Sequence, residues 1–281
     1  KPNCRHERLT PITDRVSQAD IDAGIEKAIM AFRQFGGIIS RPTKTKPPKL
    51  TMPEFKPLSF SNRDAARQYY NEKTDSIFSG IGNEKYTEPE LIEIFPPNKY
   101  GINQEEFETM QNYTGSAFVD INRSLRGTFN PKGEYKDYLN DRVSEMDSIL
   151  AKTPPIPDDL VSHRGLVHEK LFNDAINGKS YVGKTITDKG FKSTSLDKNI
   201  AFDFLQSQAS YKGGNNGVLL KINVPKGYKD GTFAFNNIEQ EVLLGRKTKF
   251  KVTSQIIKQY PKGSVNDGKN YIELVVDLIS N

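Results

Sequence analysis

The sequence predicts an α+β protein in which helices lead and a mostly antiparallel sheet comes after them. Two observations carry this. Helix-period apolar patterns crowd the stretch from about Phe60 to Leu150, and short apolar or alternating β patterns take over from Val161 onward. A third, the Pro- and Lys-rich stretch over 40–58, sets the boundary between this region and the residues before it.

Taken in order, residues 13–35 space Ile21, Ile25, Ala28, Ile29 and Phe32 at intervals of three and four, which predicts a helix. Residues 40–58 hold five prolines and a run of lysines with little apolar periodicity, the composition of an extended, solvated connector. Helices are then expected over 61–79, 87–94, 103–112, 116–125 and 135–150, separated by Gly, Pro and Asn. Strands are expected over 180–182, 190–195, 217–224, 240–244, 249–257 and 271–279, with a helix over 196–205.

Composition narrows the function. The formal charge of +5 comes from 40 basic and 35 acidic residues spread along the chain, so no nucleic-acid-binding arm is indicated. Cys4 is the single cysteine, which excludes an intramolecular disulfide. Three histidines without CxxC or HExxH spacing make zinc an unexpected guest; Cys4 and His6 would be at most half a site. No apolar stretch is long enough for a membrane span, and the N-terminus lacks the order of a signal peptide. The chain opens on Lys1 rather than on a methionine, as a segment of a longer protein would.

Three short motifs could carry chemistry. In Asn236-Asn237-Ile238-Glu239-Gln240-Glu241-Val242, strand alternation puts Glu239 and Glu241 on one side, where two close carboxylates raise each other's cost of ionisation. Alone, the pair also reads as an exposed strand start with two solvated glutamates. In Gly190-Phe191-Lys192-Ser193-Thr194-Ser195, Ser193 and Ser195 share a strand face, from which one could orient a carboxylate. The triplet reads equally as a turn or a cap for the next helix. Arg164, ending the apolar run Leu160-Val161-Ser162-His163, offers a planar fork for a phosphate, and Gly165 would let a ligand approach the backbone. An Arg-Gly can also be a plain surface turn.

In this order and spacing, Arg, then aromatic-x-Ser-Thr-Ser, then Glu-x-Glu before an apolar strand resembles the signature of arginine-specific mono-ADP-ribosyltransferase toxins, above all the actin-modifying binary toxin components. Residues 110–126 (MQNYTGSAFVDINRSLR) resemble the family's tyrosine-bearing helix, 153–164 (TPPIPDDLVSHR) its Pro-rich lead into the arginine strand, and 217–227 and 239–251 its later strands. The resemblance covers roughly 60–281 and implies the ADP-ribosyltransferase fold, with N-terminal helices on a two-sheet β core.

It also implies roles. NAD would be the co-substrate, with no metal, and no GxGxxG follows a strand here to suggest a Rossmann fold. Arg164 would hold the pyrophosphate, Ser193 would fix the catalytic glutamate, and Glu241 would bond the nicotinamide-ribose hydroxyl. Glu239 would position the target guanidinium and take its proton, which implies an arginine acceptor. Residues 236–240 would lie in the loop that recognises the protein substrate. Gly165, Tyr113, Thr194 and Ser195 belong to the expected NAD pocket; Phe204 would pack on the nicotinamide side, with Phe202 a competing choice. Two departures from the actin-specific pattern bear on the target: Phe118 stands where a second tyrosine is usual, and an arginine shortly after Phe204 is missing.

Residues 1–12 resemble the closing motif of phage head-morphogenesis minor head proteins, a Pro-x-Cys-Arg segment before a short apolar strand. This divides the chain into a phage-head-like remnant (1–12), a helix and linker (13–59) and a catalytic domain (60–281). The implied activity is that of a toxin or phage-encoded effector, secreted or phage-delivered and acting as a monomer on a host protein in the target-cell cytoplasm. Two rivals remain: an NAD glycohydrolase with water as acceptor, and a non-enzymatic phage-head component.

Overall fold

The computed structural model describes residues 55–58, 60, 62–79, 81, 97–211, 216–235, 238–246 and 248–279. The head-protein-like segment over 1–12, the helix over 13–35, the connector up to 54 and the helix over 87–94 lie outside the described residues. The chain divides at Glu54/Phe55 into two units, and the described residues all belong to the second, Phe55–Asn281.

Helix α1 (Arg63–Phe78) starts where the Asn62 side chain accepts a hydrogen bond from the Ala65 N–H, and it buries Ala66, Tyr70, Thr74, Ile77 and Phe78 at helical spacing. Helix α2 (Gln104–Asn112) opens on a reciprocal cap between Asn103 and Glu106. It runs into a π-helical turn over Tyr113–Ala117 and then α3 (Phe118–Arg126), which Gly127 ends at φ 76°. Helix α4 (Glu134–Lys152) packs across α2 and α3. Ion pairs from Lys152 to Glu106 (2.6 Å) and from Arg142 to Glu145 (2.9 Å) sit around the α2–α4 contact.

The second half supplies strands β1 (Leu160–Val167), β2 (Thr185–Thr187), β3 (Lys192–Ser195), β4 (Gly217–Val224), β5 (Gly231–Phe233), β6 (Glu241–Leu244), β7 (Lys249–Gln259) and β8 (Asn270–Ile279). Two helices join them, α5 (Glu169–Ile176) and α6 (Lys198–Ser210). The order across the sheet is β2-β7-β8-β4-β1-β3-β6-β5, antiparallel throughout except for β4 beside β8. The two sheets implied by the resemblance are therefore one hydrogen-bonded ladder. Its weak seam is β1–β3, joined at the single pair His163↔Ser195, whereas β1 pairs with β4 along its full length.

Strand β4 shows how the sheet is covered. Its run Val218-Leu219-Leu220 is too apolar to alternate with water because both faces are packed. Val218, Leu220, Ile222 and Val224 enter the main core, while Leu219 joins Ala201, Leu205 and Ala209 of α6 in a smaller one on the opposite face. Each such buried aliphatic side chain contributes about 1.5–3 kcal/mol.

Two element expectations are corrected, and three short elements go unforeseen. Residues 181–183 form a turn, fastened by Lys184 N–H to the Tyr181 carbonyl, and the strand begins only at Thr185. Arg164 does not end its strand, because pairing with β4 continues through Val167↔Gly217. Helix α5 and strands β2 and β5, three to eight residues long, are too short for periodicity to register.

Candidate active site

The seam between β1 and β3 opens into a cleft. Beyond His163↔Ser195 the two strands part, and Arg164 reaches across the opening to donate from Nη1 to the Ser193 carbonyl at 2.6 Å. Arg164, Gly165, Ser193, Thr194, Ser195, Phe204, Glu239 and Glu241 all line this cleft of 180 Å³. Residues from four stretches of chain, 164–165, 193–195, 204 and 239–241, thus meet at one place. Tyr113 lies fully buried directly behind it, with its phenol near Ser193, Glu241 and Arg164.

Glu241 is the first residue of β6, paired in register with Ser195, and only 1% exposed. Neither carboxyl oxygen has a partner at hydrogen-bond geometry. Burial pushes its pKa up to about 7; the Glu239 charge adds to the rise, and the Ser193 hydroxyl and the Arg164 guanidinium oppose it. A buried acid left this poorly solvated is the mark of a charge-handling site.

Glu239 reaches the same cleft by a different route from the one strand alternation suggests. Ile238, Glu239 and Gln240 form a turn, and β6 begins one residue after Gln240. Gln240 adopts φ 48°, a left-handed backbone uncommon for a residue with a side chain, and this reversal brings both glutamates to one cleft. The turn is pinned from below: the Ser195 hydroxyl donates to the Glu239 carbonyl at 2.6 Å and accepts from the Asp197 N–H at 2.9 Å. Ser195 therefore holds the turn rather than a carboxylate. Burial raises the Glu239 pKa as well. Asn236 and Asn237 of the expected recognition loop lie outside the described residues; Ile238, beside them, is 72% exposed.

Gly165 has another cause than ligand access. Strand alternation puts Arg164 on the face of Leu160 and Leu166, which pack toward the main core, and Gly165 on the opposite face under α6. A Cβ there would fall on the Ala201 carbonyl and lie 2.7 Å from the Leu205 N–H, so only glycine lets α6 come this close. Thr194 turns its hydroxyl away from the cleft, to the Val242 carbonyl at 2.7 Å. The two phenylalanines of α6 separate cleanly: Phe204, 42% exposed, lines the cleft, whereas Phe202 packs on Tyr260 and Tyr271.

Asn122 is a site residue that no sequence motif marks. Buried on α3, its Oδ1 accepts from the Phe191 N–H at 2.8 Å and its Nδ2 donates to the Tyr113 hydroxyl at 2.9 Å, tying the helix to the start of β3. A polar residue on the buried side of α3, next to Ile121, is the available signal. His163, also at the cleft, has its pKa lowered to about 4, by burial first and then by Lys198 and Lys221; it is neutral at pH 7.

The profile of the ADP-ribosyltransferase exoenzyme family matches residues 67–280. The match begins well after the head-protein-like segment over 1–12, which it leaves unsupported. The NAD(+)–arginine ADP-ribosyltransferase EFV of Enterococcus faecalis is 31% identical over 156 residues, 54% of this chain and 29% of that protein. The mono(ADP-ribosyl)transferase SpvB of Salmonella typhimurium is 26% identical over 189 residues, 57% of this chain and 29% of that protein. The chain thus spans less than a third of the length of either relative. Among solved structures, the ADP-ribosylating toxin BECa of a C. perfringens binary enterotoxin shares the fold, with a TM-score of 0.58 at 21% identity over 80% of this chain and 50% of that one. With the profile extending through every strand that builds the cleft, the chain belongs to the ADP-ribosyltransferase exoenzyme family.

Proposed function

We propose that this chain cleaves NAD and transfers its ADP-ribose to an arginine of another protein, releasing nicotinamide. The observation that carries the reading is the meeting of a buried, under-solvated Glu241 with Glu239, Ser193 and Arg164 in one cleft.

Arg164 seats the NAD pyrophosphate, and Phe204 bounds the nicotinamide end, with the buried Tyr113 behind the cleft. The bond between the ribose C1′ and the nicotinamide nitrogen breaks, and its electron pair leaves with the neutral nicotinamide. The ribose is left as an oxocarbenium-like cation, the kind of charge that carboxylates stabilise in glycoside hydrolysis. Glu241, beside the Ser193 hydroxyl, accepts a hydrogen bond from the ribose hydroxyl, an interaction that strengthens as positive charge develops. Glu239 accepts a hydrogen bond from the incoming guanidinium and takes its proton as the new C1′–N bond forms. A carboxylate raised by burial is the better base for that step.

The acceptor is a host protein, reached in the cytoplasm of a target cell. Phe118 in place of a second tyrosine and the lack of an arginine after Phe204 argue against actin.

Labelled NAD incubated with the protein and a cell lysate tests the reading. A labelled protein band whose modification maps to arginine supports it. Nicotinamide release without any labelled protein makes water the acceptor and the chain a glycohydrolase.

A further inference from the structure

A hollow of 470 Å³ is lined by the start of α1, the start of α6, and Val161, His163 and Lys221 of β1 and β4. It adjoins the catalytic cleft, for His163 lines both. Leu196, another of its walls, donates its N–H to the Gln240 carbonyl at 3.2 Å, so the hollow sits directly beside the turn that carries Glu239. Nothing in the cleavage of NAD calls for it.

Among the described residues that line the hollow, three are cations, Arg63, Lys198 and Lys221, and one is an acid, Asp197. None of the three cations is fully committed. Arg63, its side chain 52% exposed, stands 3.4 Å from Asp197 Oδ2, which receives no hydrogen bond. Lys198 reaches Glu273 at 3.4 Å, and that carboxylate is held more closely by Lys258, at 2.6 Å. Lys221 is exposed and has no hydrogen bond or ion pair among the described residues. Burial first, and then Lys198 and Lys221, keep His163 from charging, so the positive field of the hollow extends to the wall of the cleft. Such a surplus of charge on a partly enclosed surface draws an anion more strongly than on an open face.

We propose that this hollow is a subsite for the acceptor protein, seating a carboxylate side chain that lies near the target arginine. The inference rests on the proposed transfer chemistry and adds to it a property of the acceptor: its arginine is flanked by acidic residues. Glu239 meets the guanidinium while the three cations beside it meet the opposite charge, so the acceptor is read by a pair of charges rather than by arginine alone. The same arrangement rejects an arginine set among basic residues, which would bring like charges together at the hollow.

The test compares two short peptides, each with one arginine, flanked in one by glutamates and in the other by glutamines, and uses the small guanidine agmatine as an acceptor without a carboxylate. In wild type, kcat/KM for modification of the glutamate peptide exceeds that of the glutamine peptide about fivefold. Lys221→Glu, at an exposed position, brings the two within about twofold or reverses them, and agmatine modification stays at the wild-type rate. Lys262→Glu makes the same change of net charge in the β7–β8 hairpin, which bonds the far end of α6 through Asn266 and Gln206, and it keeps the preference. The inference is overturned, with the transfer chemistry intact, by a wild type that modifies agmatine but does not prefer the glutamate peptide, or by a preference that Lys221→Glu leaves in place. It is equally overturned if Lys262→Glu removes the preference as fully, or if Lys221→Glu slows agmatine as much as the glutamate peptide. A wild type that modifies none of the three acceptors overturns the underlying reading, and this inference with it.

Discussion

Strand β6 and the turn leading into it carry the two glutamates of the cleft, yet the two segments are held in opposite ways. Glu241 sits in a ladder, paired with Ser195 and followed by the fully buried Val242, Leu243 and Leu244. Its position is set by the core, and its chemistry by burial. Glu239 sits in a turn whose backbone is held by one serine hydroxyl and reversed by one residue at φ 48°, next to the exposed Ile238. The strand gives a fixed, poorly solvated acid suited to a step common to every turnover. The turn gives an acid at the rim, where a second molecule has to be met. Two residues apart in sequence, the glutamates are separated by mechanism, and each can be lost without the other.

The largest expected effect breaks the strand side. Glu241→Gln is isosteric but cannot stabilise a developing cation, so NAD hydrolysis and protein transfer both fall about 10³-fold, read as nicotinamide release and as label on protein. The next breaks the turn side alone. Glu239→Gln lowers transfer about 10²-fold while nicotinamide release stays within a few-fold of wild type. Equal loss of both activities in Glu239→Gln would merge the two roles that the geometry separates. A smaller effect sharpens the comparison: Ser195→Ala removes the hydroxyl that holds the Glu239 carbonyl without touching either carboxylate. One neutral hydrogen bond is worth about 0.5–1.5 kcal/mol, so transfer falls roughly 3–10-fold and hydrolysis less. A larger fall in hydrolysis than in transfer would mean that Ser195 serves Glu241 instead.

The strand side is the more legible of the two in the sequence. The run over 217–224 shows its true bounds because an apolar stretch between two packed faces leaves little choice of boundary. The convergence of Arg164, Ser193 and Glu241 follows from motif order, although the order does not say that β1 and β3 meet at a single residue pair. The turn reads as strand because Glu-x-Glu before an apolar run alternates correctly on paper; nothing local announces that Gln240 adopts a left-handed backbone. Gly165 reads as a ligand position when its cause is α6, a contact between residues 36 and 40 positions apart that no local pattern reveals. The meeting of Arg63, Lys198 and Lys221 in one hollow is hidden for the same reason.

Glu239 shares the pocket of Glu241 closely enough for its charge to add to the rise in the Glu241 pKa, and the roles assigned to the two acids depend on that closeness. The rate of nicotinamide release against pH, in wild type and in Glu239→Gln, tests it most directly. Glu241 works as a carboxylate with a pKa pushed up to about 7, so the wild-type rate climbs as pH rises through about 7. Removing the neighbouring charge makes ionisation of Glu241 easier, and the climb in Glu239→Gln moves to lower pH. A wild-type rate already level above pH 5, or a climb that Glu239→Gln leaves in place, would contradict the account.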